Sequence, residues 1–273
     1  MRRFFSFLVL VFFAIAGCGH ENPPPAWPAV AREEMPSVRV DETSTSDTSG
    51  CHAAILVYHH ITPHLPGEDG ATRAMTVAPA AFARQMQHLH DASYVVVSFA
   101  AVVDCLTKGE SLPAHAVVIT IDDGWESPYV YALPVLDKLG FTATFFVVTN
   151  MISEDGKDLL SWKQVLDLDR RGMTIGSHSR SHPNLTVLGD TRLKDELVGS
   201  KSALEKRLMH SVRFFAYPYG NVNARVIAAT RAAGYDAARG TIDGVEQHAA
   251  DLFQLKVVYV TDDFAAFARG VAQ

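Results

Sequence analysis

Between residues 54 and 260 short β-branched runs alternate with amphipathic stretches, and this alternation constrains the fold more than any other feature. The runs are AILVY (54–58), YVVVS (94–98), AVVITI (116–121), ATFFVV (143–148), MTIG (173–176), RFFAY (213–217), YDAA (235–238) and LKVVYV (255–260). Between them lie AAFARQMQHLHDA, YVYALPVLDKLG, LSWKQVLDLDRRG, DTRLKDELVGSKSALEKRL and NARVIAATRAAG, several ending on a glycine that stops a helix. Strand–helix alternation of this kind predicts parallel strands joined by crossover helices. The pattern therefore predicts an α/β chain with a distorted or incomplete (β/α) barrel as a single domain over residues 51–273. An open doubly wound sheet is the alternative, but no GxGxxG follows the first strand.

The chain starts differently. MRRFFSFLVLVFFAIAGCG has two arginines, an apolar run from Phe4 to Ala16, small residues and Cys18. That run is short for a bilayer span and suits a signal peptide over residues 1–17. Ile15-Ala16-Gly17-Cys18 resembles the bacterial lipobox, which implies cleavage before Cys18 and lipidation of its sulfur. Cleavage there removes two arginines and no acids, taking the formal charge from -6 to -8. Residues 18–50 include NPPPAWP and DETSTSDTSG, which cannot bury a core and read as a disordered linker. The expected location is the bacterial cell envelope, with the protein anchored in a membrane and facing the periplasm or exterior. With 24 basic against 30 acidic residues and no basic run, a nucleic-acid partner is excluded. Cys51 and Cys105 remain in the body, either as a disulfide or with Cys105 free and buried.

In a (β/α) barrel the active site lies at the C-terminal ends of the strands. His59 and His60 follow the first run, and Asp122 and Asp123 follow AVVITI. Ser177, His178 and His182 follow MTIG, and Pro218, Tyr219 and Gly220 follow RFFAY. Two histidines four residues apart on one helical turn face one side and chelate one ion, or else form a solvated face. Together with a carboxylate they make an open site for Zn²⁺ or a similar first-row ion. One of the two aspartates is then a ligand, and the other is a general base; the plain alternative is that Asp-Asp-Gly is only a turn. Trp125 is either a platform for a sugar face or a core anchor.

TIDDG, HSRSH and AYPYG resemble the first three motifs of the polysaccharide deacetylases, carbohydrate esterase family four, with the NodB-homology domain. That resemblance implies a distorted barrel and metal-dependent removal of N- or O-acetyl groups from sugars. It makes Asp122 the base and Asp123, His178 and His182 the ligands of one divalent ion, zinc with cobalt or nickel as alternatives. It gives the Tyr219 N–H to the oxyanion. The family's phenylalanine in the first motif is Ile121 here, and its third-motif arginine is Ala216, with Arg213 as a substitute. The tryptophan-containing fourth motif is absent, and no histidine follows His248. LVYHHI is similar to the subgroup of biofilm poly-N-acetylglucosamine deacetylases, in which an early histidine is the general acid. That implies His59 as the acid, with His60 pointing elsewhere.

The resulting expectation is a lipoprotein hydrolase that removes N-acetyl groups from N-acetylhexosamine units of a cell-surface or exported polysaccharide. Its partners would be that acetylated polysaccharide, the membrane through the Cys18 lipid, and exopolysaccharide export machinery. Peptidoglycan, chitin-like and O-acetylated glycans are alternative substrates. A non-catalytic carbohydrate-binding lipoprotein and a non-haem iron oxygenase are the rivals from other classes.

Overall fold

The computed structural model describes residues 51–154 and 156–273. Cys18, the signal-peptide reading and the tether lie outside the described residues. Eight parallel strands follow the expected runs. They are β1 (Ala54–Tyr58), β2 (Val95–Val96), β3 (Ala116–Ile121), β4 (Thr144–Val147), β5 (Thr174–Ser177), β6 (Phe214–Ala216), β7 (Ala237–Asp243) and β8 (Leu255–Tyr259). The ring runs β1-β3-β4-β5-β6-β7-β8 and closes back on β1. The barrel is incomplete, as expected, because β2 stands outside the ring and pairs only with Ala116 and Val117 at the start of β3. Past Val96 the chain turns into the helix Phe99–Lys108, whose first turn is capped by the Ser98 hydroxyl accepting from Ala101 N–H. That early helix start leaves YVVVS too little chain to form a full strand.

Strand periodicity divides the core into an inner and an outer layer. Ile55, Val57, Val118, Phe146, Phe214, Ala237, Leu255 and Val257 fill the barrel. Their neighbours Leu56, Tyr58, Val117, Ile119, Phe145 and Phe215 face outward. Phe82 and Met86 of helix Pro79–Asp91, Val165 and Leu168 of Trp162–Arg170, and Phe267 of Phe264–Val271 cover that outer face. The expected single helix over 129–140 is broken at Ala132 into Ser127–Tyr131 and Leu133–Leu139. Pro134 causes the break, since it has no N–H and its ring crowds the preceding turn. Among the described residues no helix is long and apolar enough to cross a membrane.

The helix Phe99–Lys108 closes the end of the barrel where the strands begin. Phe99, Val102 and Val103 join the inner layer, with the Phe99 ring 5.8 Å from Phe146 and 4.9 Å from Phe214. Cys105 on this helix is bonded to Cys51, with the Cα atoms 6.2 Å apart, so the free-thiol alternative for Cys105 is corrected. Cys51–His52 in turn pairs with Glu246–Gln247. The bond closes a loop with a sequence separation of 54, worth about 4 kcal/mol in the chain-entropy account. Reduction, or Cys105→Ser, should therefore lower the thermal midpoint by roughly 10 °C. Melting curves with and without reductant check this, and an unchanged midpoint would show that the bond contributes nothing.

Candidate active site

The opposite end of the barrel is polar because the inward period continues past the apolar layer. Val57 is followed on that face by His59, Val118 by Thr120 and Asp122, Gly176 by His178, and Ala237 by Arg239. Asp122 is still part of the sheet, since its N–H donates to the Tyr58 carbonyl at 2.9 Å. The next two residues are left-handed, Asp123 with φ 72° and Gly124 with φ 84°. Asp tolerates that conformation better than most side chains, and glycine takes it freely. So the Asp-Asp-Gly segment is a turn, but one that presents both carboxylates at the rim.

His178 leaves β5 with its main chain still tied to β4, its N–H donating to the Val147 carbonyl at 3.0 Å. Its Nδ1–H donates to the Ala216 carbonyl at 2.7 Å, because a carbonyl only accepts. That fixes the tautomer and leaves the Nε2 lone pair facing the site. Nε2 lies 3.4 Å from Asp123 Oδ1 and 3.1 Å from His182 Nε2, and His182 Nε2 is also 3.4 Å from Asp123 Oδ1.

The helical turn expected for HSRSH does not form. Ser179 and His182 are left-handed, with φ of 70° and 58°. The reason lies outside the motif. Glu196, almost fully buried, accepts from Arg180 N–H at 3.0 Å, Ser181 N–H at 2.8 Å and the Ser181 hydroxyl at 2.5 Å. It sits in a π-helical turn, Asp195–Gly199, between Asp190–Lys194 and Ser200–Leu208. Such turns often occur at functional sites. The Ser179 hydroxyl accepts from His182 N–H at 2.9 Å and completes the loop.

Asp123, His178 and His182 each offer one ligand atom, and these atoms lie within 4.8 Å of one another. Two imidazole lone pairs 3.1 Å apart repel unless a proton or a cation sits between them. Burial, followed by the charge of His178, lowers the His182 pKa. For Asp123, burial acts to raise the pKa. The hydrogen bond and charge of His178, with His59 and His182, outweigh it and hold the carboxyl well below the usual carboxylate range. Neutral imidazole and ionised carboxylate are the forms that bind a divalent cation, so the donor set fits one.

On the other side of Asp122 stands a residue that the sequence reading missed. Arg239, from β7, is ion-paired with Asp122 Oδ2, and the two side chains are only 2% and 4% exposed. The guanidinium lies over the Phe146 ring, 5.2 Å from its centroid. Arg213, named from the sequence as a substitute for the third-motif arginine, lies just ahead of β6 at the strand-start end of the barrel and pairs with Asp236 at 2.5 Å, so that reading is corrected. The signal was hidden because YDAA reads as a strand ending at Ala238, whereas β7 continues through ARGTID. Asp122 Oδ1 is buried with no hydrogen-bond partner. His59 Nε2 is 3.9 Å from Asp122 Oδ2. Burial lowers the His59 pKa, while the carboxylates of Asp122 and Asp123 act against that shift.

The remaining candidates divide. His60 turns away from the barrel interior, and its ring lies on that of Trp125, centroids 4.2 Å apart. Trp125 also donates its indole N–H to Asp123 Oδ2 at 3.0 Å. Tyr219 is left-handed at φ 58°, largely exposed, and its ring meets that of His182 at 4.6 Å. Gly220 follows at φ 67°, where an added Cβ would collide with the Thr241 side chain.

Residues 109–238 match the family model described as polysaccharide deacetylase. That segment holds Asp122, Asp123, His178, His182 and Tyr219, and it leaves His59 and Arg239 on either side. The Bacillus subtilis protein YxkH is 26% identical over 283 residues, covering 99% of this chain and 98% of its own. The poly-beta-1,6-N-acetyl-D-glucosamine N-deacetylase of Staphylococcus aureus (strain MRSA252) is 27% identical over 173 residues, which cover 58% of this chain and 59% of that protein. Among solved structures, the Streptococcus pyogenes deacetylase PplD in complex with acetate superimposes with a TM-score of 0.74 at 26% identity, covering 82% of this chain and 99% of its own. Residues 109–238 thus resemble the polysaccharide deacetylase family both in their motifs, gathered at one rim, and in a barrel of this form.

Proposed function

We propose that this chain is a metal-dependent N-deacetylase acting on N-acetylhexosamine units of a poly-N-acetylglucosamine-like polysaccharide. The observation that carries the reading is the placement of Asp122, with Asp123, His178 and His182 on one side and His59 3.9 Å away on another. The Staphylococcus aureus relative supports the choice of polymer. A divalent ion held by the three ligands would supply Lewis acidity to the acyl oxygen and to water. Asp122 Oδ1, which has no other partner, takes a proton from the attacking water. Arg239 holds Oδ2, so the carboxylate is fixed in orientation and its buried charge is paired within an apolar wall. The Tyr219 N–H stabilises the oxyanion, and His59 protonates the departing nitrogen. Anchoring in the cell envelope through Cys18 belongs to the same proposal and would put the enzyme on the polymer's route.

Mass spectrometry of acetylated glycan panels after incubation with the protein tests the substrate class. Loss of acetyl groups from poly-N-acetylglucosamine oligomers is expected, and no release from any N-acetylated glycan would sink the reading. His59→Ala should fold, keep its metal and lose about 10²–10⁴-fold in rate on an amide. An activated acetyl ester needs little leaving-group protonation, so its hydrolysis should suffer much less. Equal losses on both substrates would remove His59 from the acid role.

The buried pair gives a separate stability test. Arg239→Met leaves an uncompensated carboxylate and should cost roughly 3–5 kcal/mol. Combining it with Asp122→Asn should recover most of that loss without restoring activity. Additive losses in urea denaturation would mean that the two residues are not coupled.

A further inference from the structure

The ligand carboxylate has two oxygens, and the structure uses them differently. Asp123 Oδ1 faces both imidazoles at 3.4 Å, while Oδ2 accepts the Trp125 indole N–H at 3.0 Å. Trp125 is in turn held on both sides. Its main chain bridges to Leu159, and one face of its ring is covered by His60 at a centroid distance of 4.2 Å and an interplanar angle of 33°. His60 is itself anchored, with its N–H donating to the Met75 carbonyl at 3.1 Å and its short strand pairing with Thr76–Val77.

We propose that Trp125 is a positioning residue for the cation site. Its indole N–H holds Oδ2, so that Asp123 presents Oδ1 alone to the ion, and His60 braces the indole from its covered face. This explains two features that the catalytic reading leaves idle, the second histidine of the HH pair and the tryptophan after DDG. It also replaces the sugar-platform reading of Trp125, since one ring face is already occupied and the polar edge is committed. The inference rests on the reading of Asp123, His178 and His182 as ligands of a divalent ion.

Trp125→Phe keeps the ring and removes the donor. Zn²⁺ titrated into the metal-free protein against a competing chelator should show a dissociation constant weakened about 10–100-fold, the usual effect of losing an outer-shell partner of a metal ligand. His60→Ala should shift it in the same direction by less. KM for the glycan at saturating zinc should stay at the wild-type value in Trp125→Phe. In the wild-type protein the indole N–H resonance of Trp125 should move on zinc addition, a readout that needs no variant to fold. An unchanged zinc affinity in Trp125→Phe overturns the assignment, and so does a raised KM with unchanged affinity, which would restore the sugar platform. A wild-type protein that binds no zinc would overturn the metal reading itself, an outcome distinct from both.

Discussion

A carboxylate inside a barrel lined by Val57, Val118, Phe146 and Val257 is costly unless an opposite charge is buried with it. Arg239 is that charge, and much of the site's arrangement depends on the pair. β7 has to run past Ala238 to deliver the guanidinium, and the Phe146 ring has to lie beneath it. Two well-packed apolar residues would serve stability as well or better at such a position. The pair is therefore explained by what it leaves available, an Asp122 carboxylate with one oxygen tied and one oxygen free.

The convergence of residues distant in sequence needs little beyond the two-residue period of a strand. His59, Asp122, His178 and Arg239 come from four strands, and each is the next inward position after an apolar or small residue. The same period explains why His59 reaches Asp122 while its neighbour His60 cannot, and turns instead toward Trp125. For His59, Asp122 and His178 that placement was legible in the sequence, because polar residues close behind β-branched runs stand out. The barrel was legible for the same reason, down to the incompleteness that β2 supplies.

What stayed hidden was hidden by local composition. ARGTID has few of the residue types that mark a strand, so Arg239 fell outside every expected element. Glu196 lies in DTRLKDELVGSKSALEKRL, where an acid among lysines reads as part of a solvated face. Its burial follows from a π-turn that only the packed helix reveals. HSRSH suggested a helical turn because two histidines at that spacing commonly share one. The main-chain N–H groups of residues 180 and 181 are instead taken by Glu196, and the chain follows a left-handed path.

That path carries a cost which locates the support the site requires. Asp123, Ser179, His182 and Tyr219 are all left-handed without being glycine, at about 1–2 kcal/mol each. Each lies within a few residues of a proposed ligand, base or oxyanion donor, and strain of this kind persists only where surrounding structure over-determines it. The over-determination is visible in the Asp122 N–H bonded into β1, the Glu196 carboxylate under residues 180 and 181, and Thr241 against Gly220. At the other end of the barrel, helix Phe99–Lys108 and the Cys51–Cys105 bond close the core with ordinary apolar packing. Stability and chemistry are thus separated along the barrel axis, and the apolar end offsets the conformational cost of the polar one.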